Sequence, residues 1–549
     1  MFRSAKPRPW LPLLASSVVM LSACTEEVVQ SSGSSASSMS PVATASAAST
    51  EVNKPLGVRP QGDTELEIDM SKVHNPELAQ IFAYIDEHID EHVINLQKWI
   101  QQPSISNTGE GIQESAYMVE GFFDQLGCQE TTVYDVGITE WGQQGNPVVY
   151  AKCDEGAEKT LVVYWMYDTM PITQPDLWIV PPFEGRIVEQ PPFKKVLIGR
   201  GATNSKGPHM TFWNAMMSAK AVTGKLPVNL IFVAEGDEER MSIGYRKFVR
   251  EHPELFKDAD AMWGFGGSEG CVFVELITSG TSWGRGPTYS DIHGGNKRSV
   301  DAPAWRHIKM LQTLVDETGN KVLIDGFYDN IEPLTPEEEE ILRKRAASFD
   351  PEIAAKNLGV ARFIADDPYE IVKMRSYGTS MNIDGIWGGN MFEGGSGAIL
   401  PNRIVSKHNF RYLPNQDGMD IVRKLRAHLD KHGYEDVEIN VVGDVPWAKR
   451  SNDSDLHVAA NKMREAFGMA PNELSSLETM LGGYWPAYLF SGDVLDIPIA
   501  SGQVGAGGNS HAANEFIVIE GAGNTWGYAA SEKSAIMTLY EWAGLNEPQ

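Results

Sequence analysis

The sequence predicts an α/β protein, a mixed and mainly parallel sheet flanked by helices, interrupted by an inserted α+β domain. Three observations predict it. Apolar runs of strand length at 160–164 and 228–234 are separated by a helical stretch at 210–222, the alternation that a parallel sheet with crossover helices requires. From about Gly270 the texture changes to strands, a helix at 304–318, a charged segment at 335–347, strands near 380–386 and 405–412, and a helix at 418–432. Apolar periodic helices return from about Asp453, so the first texture resumes after the second. A chain of 549 residues, 42% hydrophobic and 22% charged, is long enough for two or more buried cores at roughly 100–200 residues per domain.

Taken in order, the chain opens with Arg3, Lys6 and Arg8 before an apolar stretch from Trp10 to Leu21, too short to span a bilayer. The stretch ends in Leu21-Ser22-Ala23-Cys24 and resembles a bacterial lipoprotein signal over 1–23, with Cys24 lipidated after cleavage. An ordinary secretory leader is the competing reading. Thr25, where sorted lipoproteins kept at the inner membrane carry Asp, points to the outer membrane facing the periplasm. Residues 31–50 are nearly all Ser, Ala, Thr and Gly and cannot build a core, so 24–76 reads as a tether. Leu78, Ile81, Ile85, Ile89, Val93, Leu96 and Ile100 then recur three or four apart and predict a helix over 76–101. Cys128 and Cys153 flank two β-rich runs whose hairpin pairing would bring the thiols together, as a disulfide or as two buried free cysteines. Cys271 lies in a strand-like run and reads as core. The domain boundaries are 77–267 and 450–546 for the α/β domain and 268–449 for the insertion. With 46 Lys and Arg against 73 Asp and Glu, the net charge of −27 repels a phosphate backbone and sets nucleic acid aside.

Two short motifs resemble catalytic signatures and are better explained otherwise. His88-Ile-Asp-Glu91-His92 matches an inverted zinc-protease pattern, yet the helix is apolar at Ile85, Ile89 and Val93, which leaves both histidines for its wet face. Gly266-Gly-Ser268-Glu-Gly270 matches a nucleophile elbow, but β-rich residues follow where a helix is needed, so a turn between strands is expected. The loop Gly505-Ala-Gly507-Gly508 carries no chemistry by itself.

An ordered series of longer segments says more. Strand Leu161 to Met166 runs into Tyr-Asp168-Thr-Met-Pro171. Gly199-Arg-Gly201-Ala-Thr-Asn204-Ser-Lys206-Gly207 opens a helix, Val-Ala-Glu235-Gly-Asp-Glu238-Glu239 ends a strand, and Gly508-Asn-Ser-His511-Ala-Ala-Asn514-Glu515 stands near the C-terminus. The insertion adds Ser290-Asp-Ile-His293-Gly, Asn382-Ile-Asp-Gly385 and Phe410-Arg411-Tyr-Leu-Pro414. Over about 77–546 this resembles the co-catalytic zinc metallopeptidase family of carnosinase, acetylornithine deacetylase, succinyl-diaminopimelate desuccinylase and glutamate carboxypeptidase. The resemblance implies that the insertion is a lid that also makes a homodimer.

Carried over residue by residue, it implies that Glu238 is the general base and that Glu239 and His511 are terminal ligands of one zinc. It further implies that Arg411 grips a substrate carboxylate, that Asn382 is a polar substrate contact, and that His293 polarises the scissile carbonyl from the partner subunit. Lys206 stands among the catalytic candidates beside Glu238. The chain departs from the family at the metals. Asn204, a neutral amide, occupies the position of the bridging Asp, and Met166, a soft thioether, that of a ligating His. The run Gly264-Phe-Gly-Gly-Ser268 lacks the second Asp, and Asp168 loses the imidazole it would orient. The expectation is at most one divalent cation, zinc, on Glu239, His511 and Asn204, or none. Function then reads as a lipid-anchored hydrolase of small amides, a dipeptide or an N-acyl amino acid. Metal-independent acyl chemistry on the same scaffold and a non-catalytic peptide-binding lipoprotein are the alternatives.

Overall fold

The computed structural model describes residues 55–394, 396–450, 452–469, 479–480 and 482–548. The leader, Cys24 and most of the tether lie outside the described residues. The last part of the expected tether is corrected. Asp63–Thr64 pairs in parallel with Ala522–Gly523, the Arg59 guanidinium meets Glu520 at 2.7 Å, and the amides of His74 and Asn75 donate to Asn546. Leu56, Val58, Leu66 and Ile68 give this stretch apolar side chains to pack against the main core, so residues 55–76 belong to the folded body and not to a tether.

A six-stranded sheet forms the centre, in the order Ile499–Ala500, Ala261–Trp263, Thr160–Met166, Asn229–Glu235, Val148–Cys153, Glu130–Tyr134. The first four are parallel and the last two complete an antiparallel edge, which makes the sheet mixed and mainly parallel. Strict alternation serves both faces. Leu161, Val163 and Trp165 pack under the helices Pro76–Ile100, Lys206–Thr223 and Tyr528–Trp542, while Val162, Tyr164 and Met166 pack on the layer of Ile243, Tyr245, Phe248 and Trp485. Because both faces are covered, these strands read as continuous apolar runs. Cys128 and Cys153 are disulfide-bonded at the edge hairpin.

A second, antiparallel sheet of four strands holds Gly507–Gly508, Phe516–Val518, Phe193–Ile198 and Arg186–Gln190. The inserted segment builds a third, with Ser380–Trp387, Arg403–Tyr412, Gly270–Ser279 and Glu438–Val445 all antiparallel, backed by the helices Pro303–Leu314 and Gly418–Lys431. Its own core centres on Val272, Val274, Phe410 and Leu425. The helix expected over 304–318 ends at Leu314, and Pro351–Leu358 and Pro368–Tyr377 are helices that no strong periodicity announced.

Candidate active site

The parallel strands Thr160–Met166 and Asn229–Glu235 end side by side, with Met166 opposite Glu235. Their continuations carry Asp168, Glu238 and Glu239, so the acids stand at the carboxyl edge of the sheet, where open α/β sheets place ligands. Asp168, completely buried, accepts the backbone N–H of Glu238 at 3.2 Å and of Glu239 at 3.0 Å. Expected to be left without a group to orient, it instead fixes the turn that presents both glutamates. Burial, then the charges of Glu239 and Asp237, push its carboxyl up to about 8. Glu238 is driven well above the carboxylate range by burial and by Glu239, Asp168 and Glu235, against the pull of Arg411. A carboxylate so placed takes up a proton readily.

Asn204, Glu239 and His511 converge. The Asn204 amide nitrogen donates to Glu239 Oε1 at 3.0 Å and lies 3.0 Å from His511 Nε2, and that nitrogen lies 3.0 Å from Glu239 Oε1. Glu239 is 3% exposed and His511 50%, so the triangle has one buried and one open corner. The hydrogen bond from His511 to Glu239 raises the imidazole above its usual range. His511 adopts φ of 63°, a left-handed conformation uncommon outside glycine.

The loop bearing Asn204 is held by a residue that pattern reading quoted without assigning. Glu515 accepts N–H groups from Gly201 (3.1 Å), Thr203 (3.0 Å) and Asn204 (2.8 Å), and pairs with Arg200 at 2.8 Å. Gly201 turns at φ of 89°, which a side chain would oppose. Adjacency to His511 in the motif was the signal available. Glu269 and Tyr484 were likewise missed. Glu269 forms an ion pair with Arg411, and the Tyr484 ring lies 4.8 Å beneath the guanidinium.

Two assignments change. Lys206 is not a catalytic group: its ammonium is fully buried and donates to the carbonyls of Trp99 (3.1 Å) and Gln102 (2.8 Å), capping the end of the Pro76–Ile100 helix. The Lys206–Thr223 helix begins at this residue, which turns the side chain toward the helix layer and not the cleft. Arg411 is not an open group: two of its donors already meet Glu269 and Asn409. His293 sits exposed on the insertion, its ring nitrogen accepting the Gly295 N–H at 3.1 Å, and has no recorded bond to the triangle. Asn382 donates to Asp384 at 2.9 Å, and Asp384 also takes the Asn409 amide, so Asn382 belongs to the polar strip that ends at Arg411. The decoy motifs are structural. Ser268 is buried and bonded to the Trp485 and Glu269 backbones, whereas His92 is not on the wet face but buried against Glu532 at 2.7 Å.

For a metal, the donor set divides. Among the described residues no cluster of three or more His, Cys, Asp or Glu side chains stands ready for an ion. Glu239 and His511 do converge with the Asn204 amide, whose oxygen a simple flip would turn inward, and one carboxylate, one imidazole and one amide fit a single cation. A second cation does not fit. The Met166 thioether is sunk in the apolar layer, its N–H donates to His209 Nε2 at 3.1 Å, and His209 stacks on Trp165. Beyond the strand Ala261–Trp263, Phe265 lies against Tyr164 and Trp485 where a carboxylate would be needed. Beside the triangle opens a cleft of about 710 Å³, lined by Glu239, Trp141, Gln143, Lys407 and Tyr484 among others.

Comparison with known proteins identifies the family. The profile described as Peptidase family M20/M25/M40 matches residues 166–525. Human Beta-Ala-His dipeptidase is 27% identical over 504 residues, covering 85% of this chain and 93% of that protein. Among solved structures, the M20 family metallo-carboxypeptidase Sso-CP2 from Sulfolobus solfataricus superposes with a TM-score of 0.66 at 28% identity, covering 83% of this chain and 99% of the other. Human carnosine dipeptidase 1 gives a TM-score of 0.72 at 23% identity, covering 85% and 100%, a likeness of fold.

Proposed function

The chain belongs to peptidase family M20/M25/M40, whose members hydrolyse C–N bonds, and from that premise we propose that it cleaves a small peptide-like amide with the help of one divalent cation. The human relative's name makes a dipeptide the model substrate, with an N-acyl amino acid as the related class. The observation that carries the reading is the meeting of Asn204, Glu239 and His511 beside Glu238, which Asp168 fixes through two backbone amides. Zinc bound by Glu239, His511 and Asn204 would supply positive charge at the reacting oxygen.

The protein's own part follows from its carboxylates. Glu238, made basic by burial and by its acidic neighbours, removes a proton from the attacking water and returns it to the nitrogen that leaves. Asp168 holds the turn so that this carboxylate faces the substrate, and the Glu515 clamp keeps Asn204 in register with it. The inserted segment, read as a lid over 268–449, closes the far side of the cleft with Phe273, Glu275 and Lys407. A homodimer through that lid would let His293 of a second copy approach the carbonyl. Lipidation at Cys24 would hold the protein at the outer membrane, facing the periplasm.

Elemental analysis and a dipeptide screen, each with and without chelator, test the proposal together. The expected result is close to one zinc per chain and hydrolysis lost on chelation. Two zinc ions per chain would overturn the single-ion site, and absence of hydrolysis across the screen would overturn the activity. Metabolic labelling with palmitate, lost in Cys24→Ala, checks the anchor, and sedimentation checks the dimer.

A further inference from the structure

The turn that presents Glu238 and Glu239 leads into an uncommon stretch of backbone. Met241 and Ser242 follow it at φ of 70° and 51°, two successive left-handed residues of which neither is glycine. Such a conformation persists where its surroundings hold it. From within the α/β body, Asp237 does so. Its carboxylate takes Arg240 Nη1 at 3.0 Å, the Asn146 N–H at 2.7 Å and the Gly244 N–H at 3.2 Å. The second hold comes from the inserted segment.

Three consecutive residues of the strand Glu438–Val445 meet this turn and its neighbours. The pairing with Gly270–Ser279 skips Val442, a β-bulge, and the Val442 carbonyl accepts the Gln143 side-chain amide at 3.4 Å. Gln143 in turn accepts Arg240 Nη2 at 3.2 Å. The Asp444 carbonyl accepts Arg246 Nη1 at 2.9 Å, from the helix Ile243–Glu251 into which the turn runs. Between these two bonds Gly443 lies so close to Met241 that a Cβ on it would stand 2.6 Å from Met241 Cβ and 3.0 Å from Cγ. Met241 is buried, and its Cβ can move only with the backbone. Contact at that range ties the position of the strand to that of the turn.

We propose that Gly443 is a positioning residue for the active site. By seating the bulged strand on Met241, the inserted segment holds the turn that carries Glu238 and Glu239, so a residue with no bond to either acid controls where both stand. The inference rests on the hydrolase reading for what the two acids do, and on these contacts for how they are held.

Gly443→Ala adds the one atom that the contact excludes. The readout is hydrogen-exchange protection, relative to the intrinsic rate, of the Glu238 and Glu239 amides that donate to Asp168, measured on the full folded protein. Both amides should lose protection by about tenfold or more, while Thr160–Met166 in the central sheet keeps its own. In a Met241→Gly background the opposing Cβ is gone and glycine suits the left-handed backbone, so the same alanine should change protection by about twofold at most. For a dipeptide substrate kcat should fall with the two amides and KM change little. Unchanged protection in Gly443→Ala overturns the proposal, as does a loss shared equally by Thr160–Met166, an equal loss in the Met241→Gly background, or, where a dipeptide is hydrolysed, a kcat that does not follow the amides. Should Gly443→Ala not fold, Gln143→Leu decides, since it unlinks Arg240 from Val442 without adding a clash: the same two amides should lose about threefold in protection, and no loss overturns the proposal. The expected pattern of protection in a protein that hydrolyses no dipeptide would sink the hydrolase reading and leave the positioning role standing, whereas hydrolysis with undisturbed amides would do the reverse.

Discussion

The two sides of the sheet's carboxyl edge have met opposite fates. On one, Asn204, Glu239 and His511 form a polar triangle with sides of 3.0 Å. On the other, Met166 is buried among Val162, Tyr164 and Trp485, with Phe265 packed nearby. Met166 stands where the resemblance expects a ligating His, and its thioether lies in the apolar layer. Apolar and aromatic groups fill the space, and contacts that stabilise the fold stand where charge would otherwise need a cation to balance it. The polar side keeps its buried acids, which are costly without a partner.

Four experiments probe that contrast, beginning with the largest effect. Met166→Ala should cost about 2–5 kcal/mol in urea unfolding, the range for a large apolar side chain removed from a tight core. A loss below 1 kcal/mol would show that the apolar side is loosely filled. Glu238→Gln should lower turnover about 100-fold or more with little change in affinity, because it removes the base and keeps the shape. Wild-type turnover in that variant would end the assignment. Asn204→Asp should tighten zinc binding about tenfold, as a carboxylate replaces a neutral amide, while stoichiometry stays at one because the apolar side offers no ligand. A second bound ion in that variant would contradict the contrast directly.

The smallest effect lies in the inserted sheet and depends on pH. His307 and His408 are buried and joined through Ser406, and burial holds both at about 4, below the ordinary 6.5. Between pH 6.5 and 4 the unfolded chain binds protons that the folded one refuses, so stability is full above 6.5 and falls as pH drops through that window. Hydrogen-exchange protection of Arg403–Tyr412, taken relative to the intrinsic rate at each pH, should fall over this range, with the central sheet less affected. His408→Gln should flatten the response.

Much of the architecture was legible because its signals are local. The helix Pro76–Ile100 announced itself by apolar spacing, and strands such as Asn229–Glu235 by unbroken apolar runs that only a doubly covered sheet needs. The site residues Asn204, Glu239 and His511 were found by their motifs, and the structure brings them together. What a linear pattern cannot carry is a side chain's direction. Lys206 sits in the right motif yet points into the helix layer, and Arg411 has a charged neighbour 142 residues away in Glu269. His92 was misplaced for the same reason, its partner Glu532 lying 440 residues on.

The Glu515 clamp has a consequence for the order in which the protein can be made. Asn204 and Glu515 are separated by 311 residues, and every strand of the central sheet has been synthesised before Glu515 appears. At about 5–20 residues per second the segment bearing Asn204 waits many seconds for the carboxylate that ties it down. The helix Tyr528–Trp542, which covers one face of the main sheet, appears later still, so the burial of that face waits as long as the clamp does. A chain that stops short of Glu515 lacks both the clamp on Asn204 and that covering helix, so the body and the site are completed by the same stretch of synthesis.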